Sequence, residues 1–198
     1  VIEKYVIHAY PLVLLKKLFK FSLYVIVSGG DLELHQSLIW RIIRKIVYSN
    51  SRMIFTVANK LKKEIEEESG YEALVIPTGT APDFFKPIND DYLRRKHGYG
   101  EDDFIILTLS LLIERKRIED VIKAFNILKN RKYNNLKMIV AGDGPEKSKL
   151  GKLSSELNIA QDISFPGFVS RTEKLGLYNM ADVYVIASYQ EGLPFSLM

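Results

Sequence analysis

The sequence predicts an α/β protein built from two doubly wound units, each with a parallel sheet. Short apolar runs alternate with helix-like patterns along the whole chain. The apolar runs are nearly continuous, which is typical of parallel strands that helices cover on both faces. A polar stretch at residues 86–103 contains one proline and two glycines and separates the two halves. We predict that this stretch is a hinge between two domains.

The first half is predicted to contain four strands and three helices. Pro11 favours the start of a helix, because the first helical turn leaves its N–H groups unpaired and proline has none. Asn59 is a typical residue at a helix start, and Gly70 is a typical residue after a helix end. The predicted elements are strands at Tyr5–Ala9, Leu23–Val27, Arg52–Ala58 and Leu74–Ile76, and helices at Pro11–Lys20, Leu34–Tyr48 and Asn59–Ser69.

The second half repeats the alternation. A short helix is predicted at Tyr92–Lys96 within the hinge, and a turn at Gly142–Pro145 separates a strand from a helix. The further predicted elements are strands at Phe104–Leu109, Lys137–Ala141, Ile163–Phe165 and Val183–Ala187, and helices at Ile118–Lys129, from Pro145 through Leu157, at Thr172–Met180 and from Leu193 onward.

Composition excludes several classes of protein. The 198 residues are 47% hydrophobic and 26% charged, which excludes a disordered chain. The chain has no cysteine, which excludes disulfide scaffolds, thiolate metal sites and cysteine nucleophiles, and three histidines leave little material for a zinc site. The net charge of +4 favours anionic ligands such as phosphates, nucleotides or acidic lipid surfaces. No signature of a nucleic-acid-binding domain is present.

The predicted helix at residues 34–48 carries an apolar stripe beside several basic residues. A basic amphipathic helix can lie on a membrane surface. The alternative is an ordinary core helix that covers a sheet, and the width of the stripe favours this alternative.

Ligand sites in doubly wound folds lie beyond the carboxyl ends of the strands, so the segments that follow the predicted strands are candidates. Gly142 and Gly144 would let backbone N–H groups approach an anion at a helix start, although on their own they fit a plain strand-to-helix turn better. Lys116 is a cation at a strand end and suits a phosphate, although charged runs are usually solvated loops. Glu191 could face a ligand or simply favour a helix start. His8 ends the first predicted strand, where a structural role is the alternative.

Together, these segments resemble the retaining GT-B glycosyltransferases, specifically the glycosyl transferases group 1, or family 4. The most similar segments are Phe165-Pro-Gly-Phe-Val169, Tyr178-Asn-Met-Ala-Asp182 and Ala187-Ser-Tyr-Gln-Glu-Gly-Leu-Pro-Phe195. Val140–Pro145, Ile76-Pro-Thr-Gly79 and Phe85-Lys-Pro87 also resemble segments of that family. The resemblance implies two Rossmann-like units, both incomplete here, so we expect an internal fragment. It implies the second half of an acceptor-side domain at residues 1–85, a linker at 86–103 and the first part of a nucleotide-sugar-binding domain at 104–198.

The resemblance also implies roles for individual residues. His8 would lie near the reacting sugar, Lys116 on the diphosphate, and Glu191 on the donor sugar, and these three form the catalytic set. The other implied donor-binding residues are Ser110, Arg115, Gly142, Gly144, Ser188, Gly192, Leu193, Pro194 and Phe195. The implied acceptor-side residues are Gly29, Gly30 and Asp31. No metal and no cofactor are expected.

The function implied by the resemblance is transfer of a sugar from a nucleotide-diphospho-sugar to an acceptor, with retention at the anomeric carbon, in glycan or glycolipid assembly. The implied partners are the donor and a glycan or lipid-linked acceptor, without nucleic acid. The implied location is cytoplasmic, with contact to the inner face of the membrane as an option. Leu111 stands where the family usually has an arginine. A non-catalytic nucleotide-binding remnant or interaction module is therefore the alternative.

Overall fold

A computed structural model describes residues 1–3, 6–16, 18–29, 32, 37–77, 79, 81–87, 91–189, 191 and 194–197, with the backbone alone at 91, 92 and 195. The chain divides into two compact units. The first comprises Val1–Gly79 and Glu191–Met198, and the second comprises Thr80–Gln190. The domain limits expected from the sequence remain predictions.

The first unit contains a four-stranded parallel sheet in the order β1-β2-β3-β4. Its core includes Val25 and Val27 of β2 and Ile54 of β3. Gly70 has the left-handed backbone conformation that ends α3, as the sequence predicts. The elements are β1 Ile2–Glu3, α1 Val6–Leu15, β2 Tyr24–Val27, α2 Leu38–Asn50, β3 Met53–Thr56, α3 Asn59–Ser69 and β4 Ala73–Val75.

The second unit contains another four-stranded parallel sheet, in the order β7-β6-β5-β8. Short 3₁₀ turns lie at Glu114–Lys116 and Ala160–Asp162. The elements are α4 Asp91–Lys96, β5 Phe104–Leu109, α5 Ile118–Asn130, β6 Leu136–Ala141, α6 Lys147–Glu156, β7 Ile163–Gly167, α7 Arg171–Met180 and β8 Val183–Tyr184.

Helices cover both faces of the second sheet. Ile106 of β5 packs on one face with Ile122 of α5 and Leu150 of α6. Leu107 of β5 packs on the other face with Leu177 of α7. Successive side chains of a strand point to opposite faces, so these neighbours contribute to two different core clusters. The prediction of an α/β fold with doubly wound parallel sheets is confirmed.

The first predicted strand is wrong. Residues 6–15 form α1, where Val6, Ala9 and Val13 are buried at helical spacing. Short apolar runs fit a buried strand and a buried helix equally well, so periodicity alone could not decide here. His8 therefore lies within a helix and does not end a strand.

The favoured interpretation of the second helix holds for only part of its apolar stripe. Among the described residues of α2, the buried ones are Arg44, Val47 and Tyr48. Leu38, Ile39, Ile42 and Ile46 are exposed instead. The apolar residues of this helix are therefore divided. Ile43 and Val47 pack against the core of the first unit, where Arg44 is also buried, and the other four face outward.

Glu68 of α3 compensates the charge of that arginine. The Nε and Nη2 atoms of Arg44 donate to the two carboxylate oxygens of Glu68, at 2.7 and 2.8 Å. The Arg44 side chain is 2% exposed and that of Glu68 is 18% exposed. A bidentate pair of this kind satisfies a buried guanidinium with two charge-assisted hydrogen bonds. It also joins α2 to α3.

Replacing Arg44 with methionine is expected to lower the free energy of unfolding of the first unit by about 2–4 kcal/mol. The change leaves a largely buried carboxylate without its partner, which costs more than the pair itself contributes. Urea unfolding can be followed by the fluorescence of Trp40, the single tryptophan of the sequence. The double variant Arg44→Met/Glu68→Gln should recover part of the loss. A single variant as stable as the parent would show that the pair is not structural.

Candidate functional site

Several of the predicted donor-binding segments meet at the carboxyl edge of the second sheet. Ser110 follows β5 directly, Gly142 follows β6 directly, and Ser188 lies shortly after β8. The strands are parallel, so their carboxyl ends lie at one edge. The segments after β5, β6 and β8 contain six predicted site residues, namely Ser110, Arg115, Lys116, Gly142, Gly144 and Ser188.

The loop after β5 holds Lys116 in a short 3₁₀ turn. Its backbone N–H donates to the carbonyl oxygen of Ile113 at 3.0 Å. The N–H of Arg117 donates to the carbonyl oxygen of Glu114 at 3.0 Å, and Arg117 has a φ of 52°. Three basic residues in succession, Arg115 to Arg117, therefore lie on a turn whose backbone is fixed by hydrogen bonds.

The segment after β8 is attached to this basic turn. The N–H of Tyr189 donates to the carbonyl oxygen of Arg115 at 3.1 Å. The guanidinium of Arg117 lies 4.7 Å from the centre of the Tyr189 ring, and its Nε donates to Asp120 Oδ2 at 2.6 Å. Tyr189 was not among the predicted site residues. No local sequence pattern indicates this contact, because its two partners are far apart in the chain.

Close backbone packing explains why glycine occupies positions 142 and 144. A Cβ atom at Gly142 would lie 1.8 Å from the carbonyl oxygen of Ser110, and one at Gly144 would lie 2.4 Å from that of Leu112. The two residues have φ values of 132° and 156°, which L side chains rarely adopt. The backbones of the loops after β5 and β6 therefore pack closely against each other. The interpretation of this segment as a plain strand-to-helix turn accounts for both glycines.

The N–H groups of these glycines already have acceptors within the protein. Gly142 donates to the carbonyl oxygen of Gly167 at 2.8 Å, and Gly144 donates to Asp143 Oδ1 at 2.8 Å. Both N–H groups already donate within the protein, so the expectation that they approach an anion is not supported. A role of Gly142 and Gly144 in donor binding remains a prediction.

Asp143 and Lys147 were missed by the sequence analysis. The second carboxylate oxygen of Asp143 lies 3.3 Å from Lys147 Nζ. The hydrogen bond from Gly144, followed by that from Lys147, holds the pKa of Asp143 below its usual range. An aspartate before glycine, with a lysine four residues later at the helix start, is a local signal that could have identified this pair.

The hydroxyl of Ser188 is the clearest sign of a ligand position at this edge. Its Oγ atom is buried and has no hydrogen-bond partner among the described residues. Buried hydroxyls in folded proteins are normally hydrogen-bonded, so each exception requires an explanation. A polar ligand atom at this position would supply the missing partner. In the described part of the first unit, Thr56 Oγ1 at the end of β3 is likewise buried without a partner.

The family-like segment Tyr178 to Asp182 has a structural role. Asp182 Oδ2 accepts from the N–H of Ile105 at 2.7 Å and from Arg94 at 2.9 Å. Arg94 also donates to the carbonyl oxygens of Asp103 and Met180. These bonds fasten α4 and the start of β5 to the end of α7. The motif therefore stabilises the second unit.

The predicted residues of the first unit are less fully described. The His8 side chain is 63% exposed in α1, and its Nδ1 lies 3.6 Å from Glu3 Oε1. Gly29 lies shortly after β2. Gly30, Asp31, Gly192 and Leu193 lie outside the described residues, as does the side chain of Phe195.

The segment 191–198 belongs to the first compact unit. Glu191 and Pro194 are half-buried in it. The roles predicted for His8, Gly29, Glu191, Pro194 and Phe195 remain predictions.

No three histidine, aspartate or glutamate side chains among the described residues come together in a group that could hold a metal ion. In the same part of the chain, no helix has the length and apolar character required to cross a membrane.

Comparison with known proteins identifies the relatives of the chain. An α-monoglucosyldiacylglycerol synthase of Streptococcus pneumoniae is 33% identical over 126 residues, which cover 61% of this chain and 28% of that protein. The same enzyme of Acholeplasma laidlawii is 33% identical over 99 residues, which cover 50% of this chain and 25% of that protein. This chain spans between 25% and 48% of the curated relatives that it matches.

The fold is that of known GT-B enzymes. The structure of Anabaena HepE in complex with UDP and glucose superposes with a TM-score of 0.82, at 16% identity, over 96% of this chain and 54% of that chain. Residues 89–198, more than half of the sequence, match the family profile of glycosyl transferases group 1. The chain therefore belongs to the glycosyl transferases group 1 family.

Proposed function

We propose that the protein transfers a sugar from a nucleotide-diphospho-sugar to an acceptor, with retention at the anomeric carbon, as a member of family 4. The proposal rests on the hydrogen bond that joins the basic turn, Arg115 to Arg117, to the segment that contains Ser188. The Ser188 hydroxyl has no partner among the described residues. The N–H of Tyr189, next to Ser188, donates to the carbonyl oxygen of Arg115. A turn with three cations and a hydroxyl without a partner is suited to a diphosphate that carries a sugar.

The basic turn would act when the bond to the sugar breaks. Cleavage of the bond between the anomeric carbon and the diphosphate leaves negative charge on the diphosphate. Lys116 and Arg115 would stabilise that charge, and preorganised cations of this kind are a major source of catalysis. The backbone bonds of the 3₁₀ turn hold its main chain in place before the substrate arrives, so only the side chains of the two residues would have to adjust.

Known relatives support the choice of substrates. The HepE structure holds UDP and glucose, which supports a nucleotide-sugar donor for this chain. The two related synthases are named for a glycolipid product, which supports a lipid-linked or glycan acceptor. We propose a cytoplasmic location at the inner face of the membrane, where such acceptors are available. Glu191 would orient the donor sugar, and His8 would lie on the acceptor side.

Replacing Ser188 with alanine separates donor binding from folding. The hydroxyl forms no hydrogen bond within the part of the chain that the structure describes, so its removal should leave the thermal unfolding temperature unchanged or slightly raised. If the hydroxyl binds the donor, the dissociation constant of the nucleotide-sugar should rise about 10-fold to 150-fold, as for the loss of one hydrogen bond to a charged group.

Calorimetry with the full chain and a panel of nucleotide-sugars would measure both quantities. Ser155→Ala is the matched control, because the Ser155 residue is exposed and its hydroxyl donates to the carbonyl oxygen of Gly151 within the same helix. Unchanged donor affinity in the Ser188 variant would remove that residue from the site. Binding of the nucleotide-sugar without any turnover would favour the non-catalytic alternative.

A further inference from the structure

Arg117 has a backbone conformation that is costly for any residue with a side chain. Its φ of 52° lies in the left-handed region, where glycine carries no such cost. Lys132 and Asn158 also have positive φ values, but each of them follows the end of a helix, where this conformation is common. Arg117 lies instead between a 3₁₀ turn and the start of α5. Backbone strain of this kind persists where surrounding contacts maintain it, and it is frequent at functional sites.

The side chain of Arg117 connects α5 to the segment after β8. Its Nε atom donates to Asp120 Oδ2 at 2.6 Å, and Asp120 lies in the first turn of α5. Its guanidinium lies 4.7 Å from the centre of the Tyr189 ring, which is within the range of a cation–π interaction. The hydrogen bond to a helix therefore orients the guanidinium, and the guanidinium in turn contacts the ring.

Tyr189 depends on such contacts because burial does not hold it in place. The residue is 73% exposed. Earlier in the same segment, Val185 and Ala187 pack against the core of the second unit. The N–H of Val185 donates to the carbonyl oxygen of Leu107 at 2.8 Å, and the next backbone hydrogen bond donated by the described part of the segment is that of Tyr189. The end of the segment is therefore attached to the basic turn through Tyr189.

Ser188 lies between these two points of attachment. On one side Ala187 packs against the core, and on the other side Tyr189 is bound to the basic turn. The Ser188 hydroxyl itself forms no hydrogen bond within the described residues. Its position beside the basic turn therefore depends on its neighbours, and loss of the ring contact should let it move without unfolding the unit.

We propose that Arg117 and Tyr189 are positioning residues for the donor. Asp120 orients Arg117, and Arg117 holds the Tyr189 ring. Tyr189 in turn keeps the Ser188 hydroxyl beside the basic turn. The inference rests on the proposed function, because it assigns that hydroxyl to the nucleotide-sugar. Neither positioning residue has to contact the donor itself.

Calorimetry of the full chain with the nucleotide-sugar tests this role. Arg117→Gly removes the side chain and relieves the backbone strain, whereas Tyr189→Leu removes only the aromatic ring. Each variant should raise the dissociation constant of the donor about 5-fold to 30-fold, as for the loss of one cation–π contact. Tyr189→Phe keeps a ring over the guanidinium and should restore the parental affinity.

Lys132→Gly is the matched control for Arg117→Gly. Lys132 is also basic and has a φ of 68°, but it follows the opposite end of α5. This control should bind the donor like the parent. Both glycine variants should unfold close to the parental temperature, because relief of the left-handed conformation offsets the contacts or chain stiffness that are lost. That result would show that a loss of affinity does not come from a loss of folding.

Two further measurements separate positioning from direct contact with the donor. If Arg117 acts through Ser188, then Ser188→Ala should cost little additional affinity in the Arg117→Gly background, because coupled residues are not additive. Without donor, hydrogen exchange of peptides that cover residues 185–189 should be faster in Arg117→Gly and Tyr189→Leu than in the parent. The same peptides should exchange at the parental rate in Lys132→Gly.

Any of four results would overturn the proposal. The first is a dissociation constant within about 2-fold of the parental value for both Arg117→Gly and Tyr189→Leu. The second is weaker binding by Arg117→Gly alone, since Arg117 would then contact the donor directly. The third is a full Ser188→Ala effect in the Arg117→Gly background, and the fourth is unchanged exchange of residues 185–189.

Failure of the proposed function would look different. The parent itself would then bind no nucleotide-sugar of the panel, and the positioning role would be overturned together with the function. Failure of the positioning role alone requires a parent that binds the donor and variants that bind it equally well.

Discussion

Replacing Gly142 with alanine is expected to unfold the carboxyl edge of the second sheet. The added Cβ would lie 1.8 Å from the carbonyl oxygen of Ser110, and the residue has a φ of 132°. The obstacle is backbone, which cannot move aside as the end of a side chain can. Backbone strain and steric overlap together should cost about 4 kcal/mol or more.

Hydrogen exchange of the full chain would measure this loss locally, in peptides that cover β5 and β6. The matched control is Gly151→Ala, because Gly151 lies inside α6 with no atom near its would-be Cβ. That control should stabilise the helix by about 0.5–1 kcal/mol. If the amide hydrogens of β5 and β6 exchanged as slowly in Gly142→Ala as in the parent, close backbone packing between the two loops would be contradicted.

Replacing Lys116 with alanine is expected to lower kcat of the full chain about 100-fold to 1000-fold. This range is typical when one preorganised group that stabilises developing charge is removed. The folding stability should change little, because the Lys116 side chain is only half-buried and the bonds that hold its turn come from the backbone. Steady-state kinetics with the nucleotide-sugar donor would give kcat and KM separately.

The control for this variant is Lys152→Ala, which removes an exposed lysine from α6. It should retain parental kcat and KM. If Lys116→Ala lost less than about 3-fold in kcat, Lys116 would not stabilise the leaving diphosphate. In that case Arg115 or Arg117 would be the next candidates on the same turn.

The sequence predicts the second unit well because its local signals agree. β5 was predicted at the residues where it occurs, and the predicted β6 differs by a single residue. Both strands are central in the sheet and nearly all apolar. The predicted start of α5 is also correct, since acidic residues follow Ile118 in the first turn. Where the hydrophobic pattern, the turn residues and the helix-end residues all indicate the same element, the sequence is sufficient to predict its position.

The first unit shows where such signals fail. In α1 nearly every residue is apolar, so neither a period of two nor a period of 3.6 is visible in the sequence. In α2 the helical periodicity of the apolar residues is clear, but the sequence does not show which side of the helix faces the sheet. A stripe on a helix looks the same whether it faces the sheet or the outside. The burial of Arg44, Val47 and Tyr48 shows which side of α2 faces the sheet.

The candidate site shows a third limit of sequence analysis. The positions after β5, β6 and β8 could be predicted, because strand ends define them. The reason for the glycines could not, since it depends on the carbonyl oxygens of Ser110 and Leu112 in another loop. The unpartnered hydroxyl of Ser188 is equally invisible in the sequence, because satisfaction of a hydrogen bond is a property of three-dimensional surroundings.

The most direct test of the proposed function is the anomeric configuration of the product. The full chain would be incubated with a panel of α-linked nucleotide-diphospho-sugars and a diacylglycerol acceptor, and the product would be examined by proton NMR. We expect release of the nucleoside diphosphate and an α-linked product, which means retention. A β-linked product would contradict the retaining mechanism. Donor binding without release of the nucleoside diphosphate, for every donor and acceptor in the panel, would contradict the assignment as a transferase.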